Sequence, residues 1–308
     1  MKPAVPAVGV VGAGAVGQAV GSALVAAGLS ARLLVVSRTP AQAAAMADDL
    51  DDMRAALGSS VRPVPATVAE LGHCAAVVVS VRARFTNTRA ADVRMAGAQA
   101  NTPAVRALAA QLRGYRGTVL MVTNPVDLMT RLFAEESGCP RVFGIGSNLD
   151  SARYRLTLAR LLDVPVASVC GHVIGEHGDS AVVCASSTTV NGHPVPVPLQ
   201  EVRDELAARP GRINSGIGRT KCGPAGAVTS TLRLALGVED GTTELSASYV
   251  GGCFGIPLRF TGGRHLPCVP PLDESEARQL EAARIKLRAA YRAVRGIPTQ
   301  PLPSGRNS

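Results

Sequence analysis

Residues 8–36 constrain the fold of this chain more than any other stretch. Residues 8–11 are an unbroken apolar run, the pattern of a strand buried on both faces. Gly12-Ala13-Gly14-Ala15-Val16-Gly17 follows at once. A helical run to Ala27, closed by Gly28, leads into a second apolar strand at residues 32–36. In such a unit the first glycine permits the tight turn and the second lets a pyrophosphate approach the backbone. The third lets the helix pack on the strand. The N–H groups at the helix start then face the phosphates. Gly12, Ala13, Gly14, Ala15, Val16 and Gly17 are therefore expected to bind a dinucleotide. The predicted fold class is α/β, with a Rossmann-type doubly wound parallel sheet.

About twenty residues past such a loop, a carboxylate normally accepts hydrogen bonds from the ribose 2′-OH of NAD. Here the second strand ends in Ser37-Arg38-Thr39, with no acid. Hydroxyls and a guanidinium suit a 2′-phosphate, which a carboxylate would repel. The expected cofactor is NADP(H), with NAD(H) as the other possibility.

A third strand is expected at residues 75–81, leading into the loop Arg82-Ala83-Arg84-Phe85-Thr86-Asn87-Thr88-Arg89-Ala90-Ala91-Asp92-Val93-Arg94. Loops after parallel strands border the ligand crevice, and a long polar one can act as a lid. A helix to about residue 112 and a strand at 117–122 come next. Asn124, in Thr123-Asn124-Pro125-Val126-Asp127, follows that strand and could reach a ligand. A short strand at 142–145 closes the first domain, placed at residues 1–145. Residues 146–308 form the second, with a disordered tail from 296. A helix at 149–162 puts Asp150 and Arg153 on one face.

Glu176-His177-Gly178-Asp179 lies between strand-like runs at 168–174 and 181–185. An imidazole on a short loop between rigid elements suits proton transfer, because it titrates near neutrality. Beyond it, Asn191-Gly192 signals a hairpin between runs at 182–189 and 194–197. Helices are expected at 201–208, 225–236 and 273–294, the last opened by an Asp273/Glu276 capping box. Strands are expected at 247–253 and 257–260.

The net charge of +9 raises the question of a nucleic-acid partner. Of the 32 basic residues, only Lys2, Lys221 and Lys286 are lysines, and aromatics are 3% of the chain. No basic run interleaves with aromatics, so no nucleic-acid partner is expected. No apolar run spans a bilayer, and the first strand starts too early for a signal peptide. A cytoplasmic protein with no membrane partner is expected. Seven cysteines without a CxxC pair suggest buried free thiols rather than disulfides, and no metal site.

With GAGAVG, TNPVD at 123–127, LDSARYR at 149–155 and GEHGDS at 175–180 in this order, the chain resembles the lactate/malate dehydrogenase family across residues 7–295. The resemblance implies an α+β C-terminal domain of that family's kind and a homodimer or homotetramer. It implies an oxidoreductase moving a hydride between the nicotinamide and a 2-oxo or 2-hydroxy acid. It implies that His177 exchanges a proton with the substrate oxygen while Asp150 fixes and supports the imidazole. Arg153 would pair with the substrate carboxylate and Arg94 would polarise the carbonyl. Asn124 would bond the substrate, Thr220 would line the pocket, and Val122 and Asn124 would border the cofactor.

Three departures from the family pattern stand out: Ser37-Arg38 in place of an acid, a longer and more basic lid, and Lys221 and Pro224 after Thr220. In the lid, Arg84, Asn87 and Arg89 are all candidates for setting specificity; Lys221 is a further substrate-binding candidate. Extra cations near the pocket suggest a dianionic substrate of specialised metabolism. Two alternatives are an imine reductase on the same scaffold and a non-catalytic dehydrogenase-like binding protein.

Overall fold

The computed structural model describes residues 4–86 and 92–296. Asn87, Arg89 and the tail from residue 297 lie outside the described residues. The first half alternates strand and helix: β1 (Val5–Val11), α1 (Ala15–Ala27), β2 (Ser30–Val36), α2 (Pro40–Leu57), β3 (Arg62–Pro65) and β4 (Ala76–Val79). It continues with α3 (Ala98–Gln111), β5 (Thr118–Met121), α4 (Val126–Ser137) and β6 (Val142–Gly144). The strands are parallel, in the order β3-β2-β1-β4-β5-β6. Chain direction across the sheet reverses between β1 and β4, which opens a crevice at their carboxyl ends. Val8, Val10, Val77 and Val78 are fully buried, as the apolar runs require.

The strand β3 was not expected from the sequence. Its Arg62-Pro63-Val64-Pro65 has two residues without an N–H, which is tolerable only on a sheet edge, where it lies.

The second half comprises α5 (Ser147–Leu162), β7 (Val169–Cys170), β8 (Val173–Gly175), β9 (Ala181–Val183), β10 (Thr189–Val190) and β11 (His193–Pro194). It continues with α6 (Leu199–Ile217), α7 (Cys222–Ala235), β12 (Gly241–Tyr249), β13 (Gly252–Thr261), β14 (Arg264–Pro267) and α8 (Glu274–Arg295). The antiparallel strand β12 joins β6 through Ser246 opposite Gly144. The sheet therefore runs on as β12-β13-β8-β9, with β14 also on β13. A small sheet, β11-β10-β7, stands apart.

The Asn191-Gly192 turn falls where expected, both residues having positive φ (51° and 80°), as a tight hairpin needs. Two expectations are corrected, and one further strand was not expected. The helix expected at 201–208 passes through Pro210 and ends only at Ile217, where Gly218 takes a φ of 79°. The strand expected at 247–253 is split by a turn at Val250-Gly251, whose φ values are 43° and 72°. The Gly251-Gly252 pair is the signal that marks this turn in the sequence. The strand β14, rich in charge and exposed, carried no pattern to find it.

The capping box of α8 is present as expected. Its buried stripe of Ala283, Leu287, Tyr291 and Val294 packs on α4, β9 and β13. All seven cysteines are free. No described helix is long and apolar enough to cross a membrane, and no metal-binding cluster occurs among the described residues.

Candidate active site

The glycine loop stands at the carboxyl end of β1, between the ends of β2 and β4. Gly12 has a φ of 113°, and a Cβ there would lie 2.9 Å from the Ser80 carbonyl oxygen. A Cβ on the buried Gly17 would lie 1.7 Å from the Gly12 oxygen. Gly14 differs: it is exposed, and a Cβ there would meet nothing within 4 Å. It caps α1 with no side-chain hydrogen bond. The helix start is thus an open cradle of main-chain N–H groups, which fits a dinucleotide pyrophosphate.

At the end of β2, Ser37 donates to Gln42 Oε1 (3.0 Å), and Thr39 Oγ1 accepts the Gln42 N–H (3.2 Å). Arg38 is exposed beside them. Two hydroxyls, an amide and a guanidinium therefore gather at the start of α2. Val122 is half-buried and Asn124 exposed beyond β5. Asn101, buried on α3, donates to the Asn124 carbonyl (2.7 Å) and accepts the Ala83 N–H (2.8 Å), tying two crevice loops together.

Across the crevice, α5 starts directly after β6 and presents Asp150 and Arg153, both buried, one turn apart. His177 arrives on the loop after β8, and a Cβ on Gly146 would lie 2.5 Å from its Cγ, so the ring rests on bare backbone. His177 Nδ1 is 2.5 Å from Asp150 Oδ2. Arg153 donates to Asp150 Oδ1 at 3.2 Å. Arg94, on the helical turn Val93–Gly97, brings Nη2 to 3.8 Å from the same oxygen.

Beneath this cluster lies a second buried carboxylate, Asp127, which accepts the His177 N–H (2.9 Å) and the Ser246 hydroxyl. Burial pushes the Asp127 carboxyl up to about 7, against the pull of those two bonds. Burial also opposes the charge on Asp150. The interaction with His177, with Arg94 and Arg153 behind it, outweighs that and brings Asp150 down to about 2. Burial and the Arg94 charge lower the His177 pKa despite the Asp150 bond. The positive field reaches further, since Arg209 of α6 also acts on Arg153. With Nδ1 engaged by Asp150, the other ring nitrogen is the one able to exchange a proton with a ligand.

The structure thus brings Arg94, Asp150, Arg153 and His177 together, as the sequence suggested. Thr220 is half-buried before α7, where a Cβ on Gly223 would lie 3.7 Å from Thr220 and 3.1 Å from Leu149 at the start of α5. Arg84 and Lys221 are exposed, and neither makes a hydrogen bond or ion pair with the cluster. For these two the expectation of a pocket position gains no contact among the described residues. Sequence reasoning passed over Asp127, Ser246, Arg209 and Lys286. The acid in TNPVD was visible as a motif member, but nothing marked the other three.

A doubly wound sheet with a glycine cradle facing a buried His–Asp–Arg cluster defines a nicotinamide-dependent oxidoreductase. Residues 7–144 match the model for the lactate/malate dehydrogenase NAD-binding domain. Residues 147–209 match that for the family's alpha/beta C-terminal domain. An L-lactate dehydrogenase of Limosilactobacillus reuteri is 30% identical over 82% of this chain and 81% of its own length. An L-2-hydroxycarboxylate dehydrogenase (NAD(P)(+)) of Methanocaldococcus jannaschii is 32% identical over 46% of this chain and 50% of its own. The structure of a minor L-lactate dehydrogenase from Enterococcus mundtii superposes with a TM-score of 0.87 at 26% identity. It covers 95% of this chain and 99% of that one. The chain belongs to the lactate/malate dehydrogenase family and is a 2-hydroxyacid dehydrogenase of that type.

Proposed function

We propose that the chain reduces a 2-oxo acid bearing a second anionic group, with NADPH preferred over NADH. The observation that carries the substrate class is the pairing of Arg94 and Arg153 with the buried Asp150, together with the further cations Arg84, Arg89 and Lys221 of the lid and of the segment after Thr220. Arg94 and Arg153 against Asp150 leave one positive charge for the substrate carboxylate, and the additional cations of the lid and Lys221 would favour a second anionic group. The cofactor preference rests on the hydroxyls and guanidinium of Ser37, Arg38 and Thr39, where no carboxylate stands.

In this reading Arg153 holds the substrate carboxylate in a two-pronged ion pair. Arg94 faces the carbonyl oxygen and stabilises the charge that grows on it. His177 delivers a proton to that oxygen, and Asp150 keeps the imidazole oriented and supports its cationic form. The bound nicotinamide supplies the hydride, or accepts it in the reverse direction. The free His177 is held neutral by burial and Arg94. Substrate carboxylate on Arg153 offsets that repulsion, so binding itself favours the protonated donor. Asn124 bonds the substrate and Thr220 lines the far wall.

We place the division of labour at residue 145, with cofactor bound before it and acid–base chemistry after it. A cytoplasmic homodimer or homotetramer is the accompanying proposal, from the family resemblance. The test is oxidation of NADPH and NADH against pyruvate, bulkier 2-oxo acids, oxaloacetate, phosphonopyruvate and cyclic imines. Turnover highest with a dianionic oxo acid and NADPH is expected. Equal rates with monoanionic and dianionic acids would overturn the substrate class, and equal efficiency with both cofactors would overturn the Ser37-Arg38 argument. Turnover confined to imines would move the enzyme to C=N reduction.

A further inference from the structure

We propose that Lys286 is a positioning residue whose single ammonium clamps the turn carrying Arg94 to the loop carrying His177. The inference rests on the roles given above to those two residues.

Lys286 projects from α8, flanking the buried stripe that seats this helix. Its Nζ lies 2.5 Å from Asp92 Oδ1, 2.8 Å from Glu176 Oε2 and 3.4 Å from Ser180 Oγ. Asp92 is two residues before Arg94, and its carbonyl accepts the Met95 N–H (2.8 Å) to open the turn. Glu176 immediately precedes His177 and accepts the Ser180 N–H at 3.0 Å. A second strut closes the junction: the Asp92 N–H donates to Asp179 Oδ2 at 2.9 Å. Asp92 holds a φ of 49°, a left-handed conformation uncommon outside glycine though better tolerated by Asp than by most residues.

The side chain of Glu176 is only 3% exposed, so its charge needs a partner. An ammonium is a compact charge with three donors, and here three acceptors from two segments share it. Arg94 reaches Asp150 at 3.8 Å from the turn that Asp92 opens. A shift of Asp92 therefore moves the guanidinium relative to the imidazole. Misplacement of about an ångström can cost roughly 100-fold in rate.

The experiment compares Lys286→Met, Lys286→Arg, Asp92→Asn, the Lys286→Met/Asp92→Asn double variant and Arg94→Gln. The substrate is the 2-oxo acid turned over fastest in the panel above. Lys286→Met is expected to lower kcat about 10- to 100-fold, with dinucleotide Kd within about twofold because the glycine loop is remote. Lys286→Arg should recover much of that loss. The double variant should be no slower than the slower single one, since both break one contact. Hydrogen exchange adds a readout independent of turnover: the Asp92 and Ser180 amides should open together in Lys286→Met. If Lys286→Met does not fold, Asp92→Asn carries the same kinetic and exchange tests. A kcat within twofold of wild type, additive losses, or unchanged exchange overturns the clamp. If Arg94→Gln itself retains kcat, the reading of the site fails instead, and the two failures are told apart.

Discussion

The two walls of the crevice are built from different materials. The cofactor wall is main chain: six consecutive residues from Gly12 to Gly17, shaped by what they lack. The opposite wall is made of charged side chains from distant segments, with Arg94, Asp127, Asp150, Arg153 and His177 drawn to one buried place. A wall of backbone is sensitive to volume and nearly blind to pH. A wall of buried charges is the reverse, because each group depends on its partners' ionisation.

The sharpest way to break this contrast is His177→Ala. Turnover should fall on the order of 10²–10⁴-fold, with dinucleotide Kd barely changed. In the wild type, kcat/KM for reduction should fall as pH rises through the His177 pKa, which burial and Arg94 place below its usual value. In the variant that step should vanish. Survival of activity, or of the step, would mean another group moves the proton.

Smaller effects separate two glycines on the other wall. Gly14→Ala adds a methyl that meets no protein atom within 4 Å. It should cost the fold at most about 1 kcal/mol as a weaker cap, yet weaken dinucleotide binding by about tenfold or more through loss of close approach. Gly17→Ala drives its methyl toward the Gly12 oxygen and should cost about 1–3 kcal/mol of stability. Thermal melts with and without NADPH distinguish the two; equal melting losses would refute the division.

A pH-dependent effect on stability is expected at Asp127. Its folded pKa, about 7, lies above that of a carboxyl in the unfolded chain. Between those values the folded chain holds a proton that the unfolded one has released, so stability falls as pH rises through that window. Asp127→Asn keeps an acceptor for the His177 N–H and a donor toward Ser246, but does not titrate. Urea midpoints from about pH 4 to 7 should therefore fall in the wild type relative to the variant. A constant difference across that range would show that Asp127 stays ionised.

The same contrast governs what could be read in advance. The glycine loop was legible because its requirement is local: a strand, three glycines and a helix start in unbroken succession. The α8 capping box and the Asn191-Gly192 hairpin were legible for the same reason. The Asp150–Arg153 pair needed only helical spacing, and His177 stood out by its loop. Lys286 carried no signal beyond being one of three lysines in an arginine-rich chain. Its partners lie 194 and 110 residues away. Ser246 likewise meets Asp127 across 119 residues, only because β12 adds itself antiparallel to β6.

Local order along the chain was thus enough to determine the doubly wound half and the glycine loop, and to single out the residues proposed for acid–base chemistry. Each depends on interactions within a turn or two, where spacing and residue type leave few choices. Tertiary structure alone decided the ionisation of Asp127 and Asp150, the convergence of two guanidiniums on one carboxylate, and the junction at Lys286. Burial and Coulomb energy depend on distance in space. The fold sets those distances by joining antiparallel strands to a parallel sheet, an arrangement that no short stretch of the chain encodes.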